Sequence, residues 1–247
     1  MHHESFFEYY EETANWSFDE FGIHTENLTD WDLYEILSKV ATTESRILDL
    51  GTGGGENALA HFPDCAEVLA TDFSPNMIKT ARVNLAASGR RNFTFKVMDN
   101  LKMEVPDNYF DIVVARHTCT EPEQILKCLK PGGYLLIRGV DKYDCWALKM
   151  VFGGGQGYND PKPISILDYE NIIRAGFSEV ELVPIHDREY IRDRATFKAF
   201  LSKVPILEFE GDSPDDKLLD EYIAKNTFSG GIRLLRAYYG ITARKPF

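Results

Sequence analysis

The chain has 247 residues, of which 44% are apolar, and 27 basic against 39 acidic side chains give it a formal net charge of −12. This length and apolar content suffice for one large α/β domain. The sequence has no run of 18 apolar residues, no signal peptide and no dense basic cluster, so we expect a soluble cytoplasmic protein. The same features disfavour membranes and nucleic acids as partners.

The four cysteines are widely separated and form no C-x-x-C pair. This spacing predicts reduced thiols of an intracellular protein and argues against a disulfide framework or a zinc site. We therefore expect no metal. The cysteines are Cys65, Cys119, Cys128 and Cys145.

Residues 1–45 are rich in aromatic and acidic side chains. Trp31, Tyr34 and Leu37 fall at helical spacing, which predicts a helix over 30–40 capped by Thr29 or Asp30. Such a stripe more often packs in a core than lines a binding site. We interpret residues 1–45 as a helical extension, whose first 25 residues are candidates for a lid over a ligand site.

From residue 46 the chain alternates between strand and helix patterns, which predicts a parallel sheet covered by helices on both faces. The predicted strands are 46–50, 67–71, 93–97, 110–116 and 133–140, and the predicted helices are 56–61, 75–88 and 122–129. A helix over 165–175, a strand over 178–183 and a last strand over 232–243 follow. The intervening segment, 184–231, is predicted to hold helices over 193–203 and 215–225 and to cover a substrate site.

A glycine-rich loop follows the first of these buried strands, with glycines at 51, 53, 54 and 55. Its bare backbone is typical of a loop against which an adenosine-containing cofactor lies. In the natural register of the dinucleotide fingerprint, Glu56 stands at the third glycine position, where it would repel a phosphate. A register shifted to Gly53, Gly55 and Ala58 does fit, so a dinucleotide remains an alternative at this point.

Acidic residues follow the next two strands. Asp72 lies 21 residues after Gly51, where a carboxylate accepts hydrogen bonds from the ribose hydroxyls of either a dinucleotide or S-adenosylmethionine. Ser74 and Pro75 begin the next helix as N-cap and N1 residues. Asp99, with its neighbour Asn100, is placed to accept from an adenine amino group, and the alternative is a simple turn.

Arg116 and His117 end the fourth strand, beside the switch point where ligands bind in open α/β sheets. His117 is our candidate for a general base, because imidazole titrates near neutrality; the alternative is a structural histidine. Arg116 is a candidate to bind a carboxylate or phosphate of the substrate, and the alternative is an ion pair with Glu121 or Glu123.

Four motifs occur in order and resemble those of the class I S-adenosylmethionine-dependent methyltransferases. They are Leu48–Gly55, Asp72 with the helix start Ser74–Met77, Phe110–Val113 and Leu129–Gly133. The match is close over residues 45–140, the cofactor-binding half (46–140), and holds in outline over 165–247. It implies a doubly wound α/β fold whose seven-stranded, mostly parallel sheet has an antiparallel last strand. In the family a short turn joins the last two strands, whereas this chain inserts the two-helix segment.

The resemblance implies that Asp49 and the glycines flank the methionine part of the cofactor, Asp72 the ribose and Asp99 the adenine. Phe73 and Met77 are candidates for contact with the adenine, with strand–helix packing as the alternative. The predicted cofactor-binding residues are Asp49, Gly51, Thr52, Gly53, Gly55, Asp72, Phe73, Met77, Asp99, Asn100 and Arg116.

These observations predict methyl transfer from S-adenosylmethionine to oxygen or nitrogen of a small molecule. Three alternatives remain: an RNA methyltransferase, a non-catalytic domain that senses the cofactor or its demethylated product, and a nicotinamide-dependent dehydrogenase. The sequence does not specify the oligomeric state.

Overall fold

The computed structural model describes residues 19–207 and 213–247. Within these ranges one sheet contains nine strands. They are β1 (His24–Asn27), β2 (Arg46–Leu50), β3 (Glu67–Asp72), β4 (Phe93–Val97), β5 (Phe110–Arg116), β6 (Leu129–Val140), β7 (Ser178–Ile191), β8 (Thr227–Phe228) and β9 (Gly231–Arg244). The helices are α1 (Leu33–Val40), α2 (Glu56–His61), α3 (Pro75–Ser88), α4 (Pro122–Cys128), α5 (Trp146–Phe152), α6 (Ile164–Ala175), α7 (Arg194–Lys203) and α8 (Asp216–Asn226).

The strand order is β1-β7-β9-β6-β5-β2-β3-β4, and β8 pairs with β9. Strands β2 to β6 form a parallel core, and β9 runs antiparallel to both β6 and β7. The predicted doubly wound α/β fold with an antiparallel last strand is therefore confirmed, although β1 and β8 enlarge the sheet beyond the seven strands expected. The strand order reverses beside β2, so the carboxyl ends of β2 and β5 flank the switch point where a ligand binds in such folds.

Both faces of the parallel core are buried, as parallel sheets require. Successive residues of β2 and β5 alternate between two apolar clusters because side chains of a strand point to opposite faces. Ile47 and Ile112 pack with Leu33 and Leu37 of α1 on one face, whereas Leu48, on the other face, packs with side chains of α4 and α6. Helix α1 thereby covers the sheet directly beside the switch point.

The N-terminal part of the described chain differs from the prediction at its start. Helix α1 begins at Leu33, because the carboxylate of Asp32 accepts hydrogen bonds from the N–H groups of Tyr34 and Glu35, both at 2.8 Å. The predicted cap Thr29 instead accepts a hydrogen bond from the N–H of His186 on β7. Residues 24–27 form β1 and not part of a helical extension. Residues 1–18 lie outside the described residues, so the lid stays a prediction.

Strand β7 continues eight residues beyond the predicted end at 183, and it pairs with β9 as far as Ile191. The segment predicted as a helical insertion over 184–231 therefore begins at Arg192, where α7 and α8 follow as expected. Pro184 and the charged residues after it hid this extension in the sequence. Pro184 is tolerated because β1 pairs only with residues 187–190, which leaves β7 an edge strand at residue 184.

Helix α5 was not predicted, because its apolar residues pack in a C-terminal cluster with α7 and α8 and show no clear one-sided pattern. Over the described ranges, no helix combines the length and the apolar character needed to cross a bilayer.

Candidate functional site

Three glycines of the loop after β2 adopt left-handed backbone conformations, with φ of 72° at Gly51, 58° at Gly53 and 77° at Gly55. A Cβ at Gly51 would lie 2.6 Å from the side chain of Thr118, and one at Gly55 would lie 2.8 Å from Phe95. A Cβ at Gly53 would meet nothing within 4 Å. Packing therefore requires glycine at 51 and 55, whereas Gly53 presents bare backbone to open space.

Asp72, at the end of β3, holds this loop in place. Its Oδ2 accepts a hydrogen bond from the N–H of Gly53 at 2.9 Å, and its Oδ1 accepts one from the N–H of Ser74 at 2.9 Å. Burial raises the pKa of Asp72, and these two hydrogen bonds oppose the rise. Each carboxylate oxygen keeps a further acceptor position, so Asp72 has the acceptors that a pair of vicinal hydroxyls needs.

Asp49 is buried near the end of β2 and is 5% exposed. Burial raises its pKa to about 7, against the opposing effects of Thr52 and Arg116. Asp49, Gly51 and Thr52 line a small cavity together with Asn57, Tyr34 and Arg116. A buried carboxylate beside an open cavity favours a cationic ligand group, because a nearby positive charge stabilises the ionised form.

Asn100 follows β4 and is 6% exposed. Its Nδ2 donates a hydrogen bond to Oγ1 of Thr118 at 2.9 Å. Its Oδ1 is buried and has no hydrogen-bond partner among the residues that the structure describes. A buried acceptor without a donor is costly, and an amino group of a bound ligand would satisfy it. The exposed Asp99 closes a turn by accepting from the N–H of Leu101 at 2.8 Å, as the alternative interpretation of this residue expected.

Phe73 and Met77, the two candidates for contact with the adenine, differ in their exposure to solvent. Phe73 is half-buried directly after β3, and Met77 is buried in the first turn of α3 at 2% exposure. The burial of Met77 is what its alternative interpretation, strand–helix packing, expects. Ligand contact by either residue stays a prediction.

Arg116 ends β5, and its partner in the register of the sheet is Arg138 on β6. Both line a cavity of about 520 Å³, whose other lining residues include Trp31, Tyr34, Ile185 and Asp187. Arg116 also borders the small cavity beside Asp49. The expected alternative pairing of Arg116 with Glu121 or Glu123 is absent from the ion pairs of the described ranges.

His117 adopts a left-handed conformation with φ of 52°. Its N–H donates to the carbonyl oxygen of Arg138 at 2.8 Å, and its ring stacks on Tyr238 with centroids 5.4 Å apart. The residue remains accessible to solvent. Although the residue is exposed at one side, the protein atoms around the ring disfavour its charged form and lower the pKa of His117, and the charges of Arg116, Arg138 and Arg236 add to the lowering. The imidazole is therefore neutral at physiological pH and able to accept a proton.

The sequence did not identify Arg138, Tyr34 and Trp31 as site residues. Tyr34 stacks on His61 with centroids 4.7 Å apart, and burial raises its pKa to about 12. Trp31 lies over Gly240 of β9, where a Cβ would approach its indole to 2.4 Å. The helical spacing predicted one helix face for Trp31 and Tyr34, but Trp31 precedes α1, which begins at Leu33. Only the fold shows that both residues border a cavity.

Residues 47–133 match the model of a family described as a methyltransferase domain. The chain is similar to a demethylmenaquinone methyltransferase of Clavibacter sepedonicus, with 34% identity over 115 residues that cover 41% of this chain and 46% of the relative. It is also similar to phosphoethanolamine N-methyltransferase 3 of Arabidopsis thaliana, with 36% identity over 101 residues that cover 37% and 20% of the two chains. The chain thus spans less than half the length of either relative.

The crystal structure of the YcgJ protein from Bacillus subtilis shares the fold, with a TM-score of 0.57 and 17% identity over 87% of this chain and 98% of the other. The strand order, the glycine loop and the matched domain agree with one another. Residues 47–133 thus match a methyltransferase domain and the chain has the fold of its structural relative, as the resemblance inferred from the four motifs predicted.

Proposed function

We propose that the protein transfers the methyl group of S-adenosylmethionine to an oxygen or nitrogen atom of a small molecule. The observation that carries the proposal is the open backbone of Gly53, held by the Asp72 carboxylate at 2.9 Å. The small cavity lined by Asp49, Gly51 and Thr52 borders the same loop. In this arrangement Asp49 faces the ammonium group of the methionine part and Asp72 faces the ribose. The unpartnered Oδ1 of Asn100 suits the adenine amino group.

The bound cofactor supplies an activated methyl group on a sulfonium, so the work of this chain is to bind and orient. Holding an acceptor in line with the methyl–sulfur bond supplies roughly 7–11 kcal/mol through effective molarity. His117 serves as general base where the acceptor atom carries a proton, and such a base adds roughly 10²–10⁴-fold. Its lowered pKa keeps the imidazole unprotonated and ready to accept that proton at neutral pH.

The size of the larger cavity supports a small acceptor. Its volume of about 520 Å³ lies within the usual range of small-molecule sites. Demethylmenaquinone and phosphoethanolamine, after which the two relatives are named, are likewise small molecules. The formal net charge of −12 opposes a polyanionic acceptor.

Titration calorimetry with S-adenosylhomocysteine and with NAD tests the proposed cofactor. We expect binding of S-adenosylhomocysteine and none of NAD; the reverse result would overturn the proposal. Transfer of a labelled methyl group from S-adenosylmethionine to small alcohols, phenols and amines then tests catalysis. Cofactor binding without transfer to any acceptor in such a panel, or in cell extract, would favour the sensor alternative.

A further inference from the structure

Two arginines lie side by side at the carboxyl edge of the sheet. Arg116 and Arg138 are register partners on the parallel strands β5 and β6, so their side chains leave the same face of the sheet from backbones roughly 4.8 Å apart. Both border the cavity of about 520 Å³. Burial lowers the pKa of Arg138, and the neighbouring charge of Arg116 lowers it further. The two guanidinium groups are thus close enough to repel each other.

The positive charge of this pair is only partly neutralised. Arg138 contacts Asp187 through one nitrogen at 3.4 Å and lies 4.3 Å from the centroid of the Tyr238 ring. Arg116 forms no ion pair with any described residue. Asp49 is an acid near Arg116: the two line the smaller cavity and interact electrostatically without forming an ion pair. In a chain with a 12-charge excess of acidic groups, an arginine that no described carboxylate contacts on the side of the larger cavity suggests that an anionic ligand group binds there.

The acidic residues that border the same cavity do not supply that anion. Asp32 is engaged in capping α1, and Asp187 is buried against Arg138. Glu35 lies 3.7 Å from Lys39, with 69% of its side chain exposed. Asp30 is exposed as well. The acids therefore either have partners or lie at the rim.

Tyr34 and Trp31 line the same cavity as the two arginines. The hydroxyl of Tyr34 forms no hydrogen bond within the described ranges, so its proton is available to an oxygen atom of a ligand. The indole of Trp31 provides an apolar surface over Gly240. Fork-shaped guanidinium groups beside a hydroxyl donor match the oxygen atoms of a carboxylate or phosphate.

We propose that Arg116 and Arg138, together with the Tyr34 hydroxyl, bind an acidic oxygen group, a carboxylate or a phosphate, on the methyl acceptor. This inference rests on the proposed methyltransferase function and assigns its substrate class. It also places Arg116 with the acceptor, whereas the sequence offered both a substrate anion and the cofactor as its ligand, and it adds Arg138 and Tyr34, which the sequence did not identify. Arg138 distinguishes an acceptor site from a cofactor site, because it borders the larger cavity and not the small cavity beside Asp49.

Calorimetry on protein saturated with S-adenosylhomocysteine tests the proposal, using benzoate and phenyl phosphate as probes and benzamide as the uncharged counterpart. We expect at least one acidic probe to bind and benzamide not to bind. Arg116→Gln and Arg138→Gln should each weaken the acidic probe about tenfold or more, and Arg116→Lys should restore part of the loss. Arg91→Gln, which removes one exposed arginine away from both cavities, is the matched control.

Three results would overturn the inference. They are equal binding of acidic and neutral probes, unchanged probe affinity in both glutamine variants, and competition between the acidic probe and S-adenosylhomocysteine. The last result would place the anion site at the carboxylate of the cofactor. Circular dichroism melting identifies a variant that fails to fold. In that case the probe affinity of the other glutamine variant tests the inference. Failure of S-adenosylhomocysteine to bind the unmodified protein would refute the proposed function instead, and probe binding to the ligand-free protein would still test the anion site.

Discussion

The guanidinium of Arg236 is held by the buried carboxylate of Asp144 through two contacts, Nε to Oδ1 at 2.8 Å and Nη2 to Oδ2 at 3.1 Å. Glu189 contacts the same guanidinium at 2.7 Å. Arg236 lies 5.1 Å from the centroid of the Tyr238 ring, on which His117 stacks. This ion network therefore supports the aromatic stack that fixes the orientation of His117.

Asp144→Asn should lower the free energy of unfolding by roughly 3–5 kcal/mol, because it removes one partner of a buried ion pair and leaves the other charge uncompensated. Urea denaturation of the variant measures the change. Asp107→Asn, which neutralises an exposed carboxylate, should leave stability nearly unaltered. A loss at Asp144 no larger than that of the control would show that the network is not a stabilising feature.

Gly53→Ala should weaken S-adenosylhomocysteine binding, because the added methyl group enters the open space in which we place the cofactor. Gly89→Ala is a matched control: Gly89 also has a left-handed φ, of 73°, and its Cβ would also meet nothing within 4 Å. Each variant should lose roughly 1 kcal/mol of stability from backbone strain. Calorimetry should show weaker ligand binding in Gly53→Ala alone, and equal affinity in both variants would exclude this loop as the cofactor site.

Asp72→Asn should reduce affinity for S-adenosylhomocysteine about tenfold or more, because an amide in place of the carboxylate loses an acceptor and a charge at a site with two backbone donors. Asp64→Asn, on an exposed residue, controls for the lost charge. Near-native affinity of the Asp72 variant would show that this carboxylate does not bind the ribose.

The affinity for S-adenosylhomocysteine should rise with pH between about 6 and 8. The pKa of Asp49 is raised to about 7, so a growing fraction is ionised over this interval, and only the ionised form attracts the ligand's ammonium group. Ligand binding should also release a proton, which calorimetry in buffers of different ionisation enthalpy detects. Asp49→Asn should abolish the pH dependence; a dependence that survives would assign it to another group.

His117→Ala should lower methyl transfer to an acceptor that carries a proton at the reacting atom, by up to roughly 10²–10⁴-fold, with cofactor affinity nearly unaltered. The free energy of unfolding of the variant should also depend less on pH below 6.5 than that of the unmodified protein. Because the pKa of His117 is lowered in the fold, the unfolded chain binds more protons below pH 6.5, and stability falls with falling pH in that window. Unchanged turnover would exclude His117 from the reaction; His24→Ala, on an exposed strand, is the control.

The sequence was sufficient to predict the parts of the site that depend on one strand and the turn after it. The positive φ values of Gly51 and Gly53 and the N-cap Ser74 follow from local chemistry, so the loop and the start of α3 could be predicted. Arg138 could not, because its relation to Arg116 depends on how β5 and β6 pair across a helix. Register between strands is a tertiary property that residue periodicity does not contain.

The same limit explains the extension of β7. Asp187 and Glu189 suggest a solvated loop when taken alone, yet in the fold Asp187 contacts Arg138 on β6 and Glu189 contacts Arg236 on the adjacent strand β9. Charged residues are compatible with a buried strand when their partners are supplied from strands distant in the chain. The end of β7 was therefore underestimated, whereas the prediction for β9 differs from the structure by one residue at each end.

Trp31 lies so close to Gly240 that the residue at position 240 affects the shape of the larger cavity, where we propose that the acceptor binds. Since the indole rests where a side chain at 240 would project, a methyl group there would displace the ring, which lines the larger cavity together with Arg116 and Arg138. The shape of the site that we propose for the acceptor would then change while its charged residues stay the same. Substrate range in this fold can thus be tuned from the last strand, without any change in the residues that bind the methyl donor.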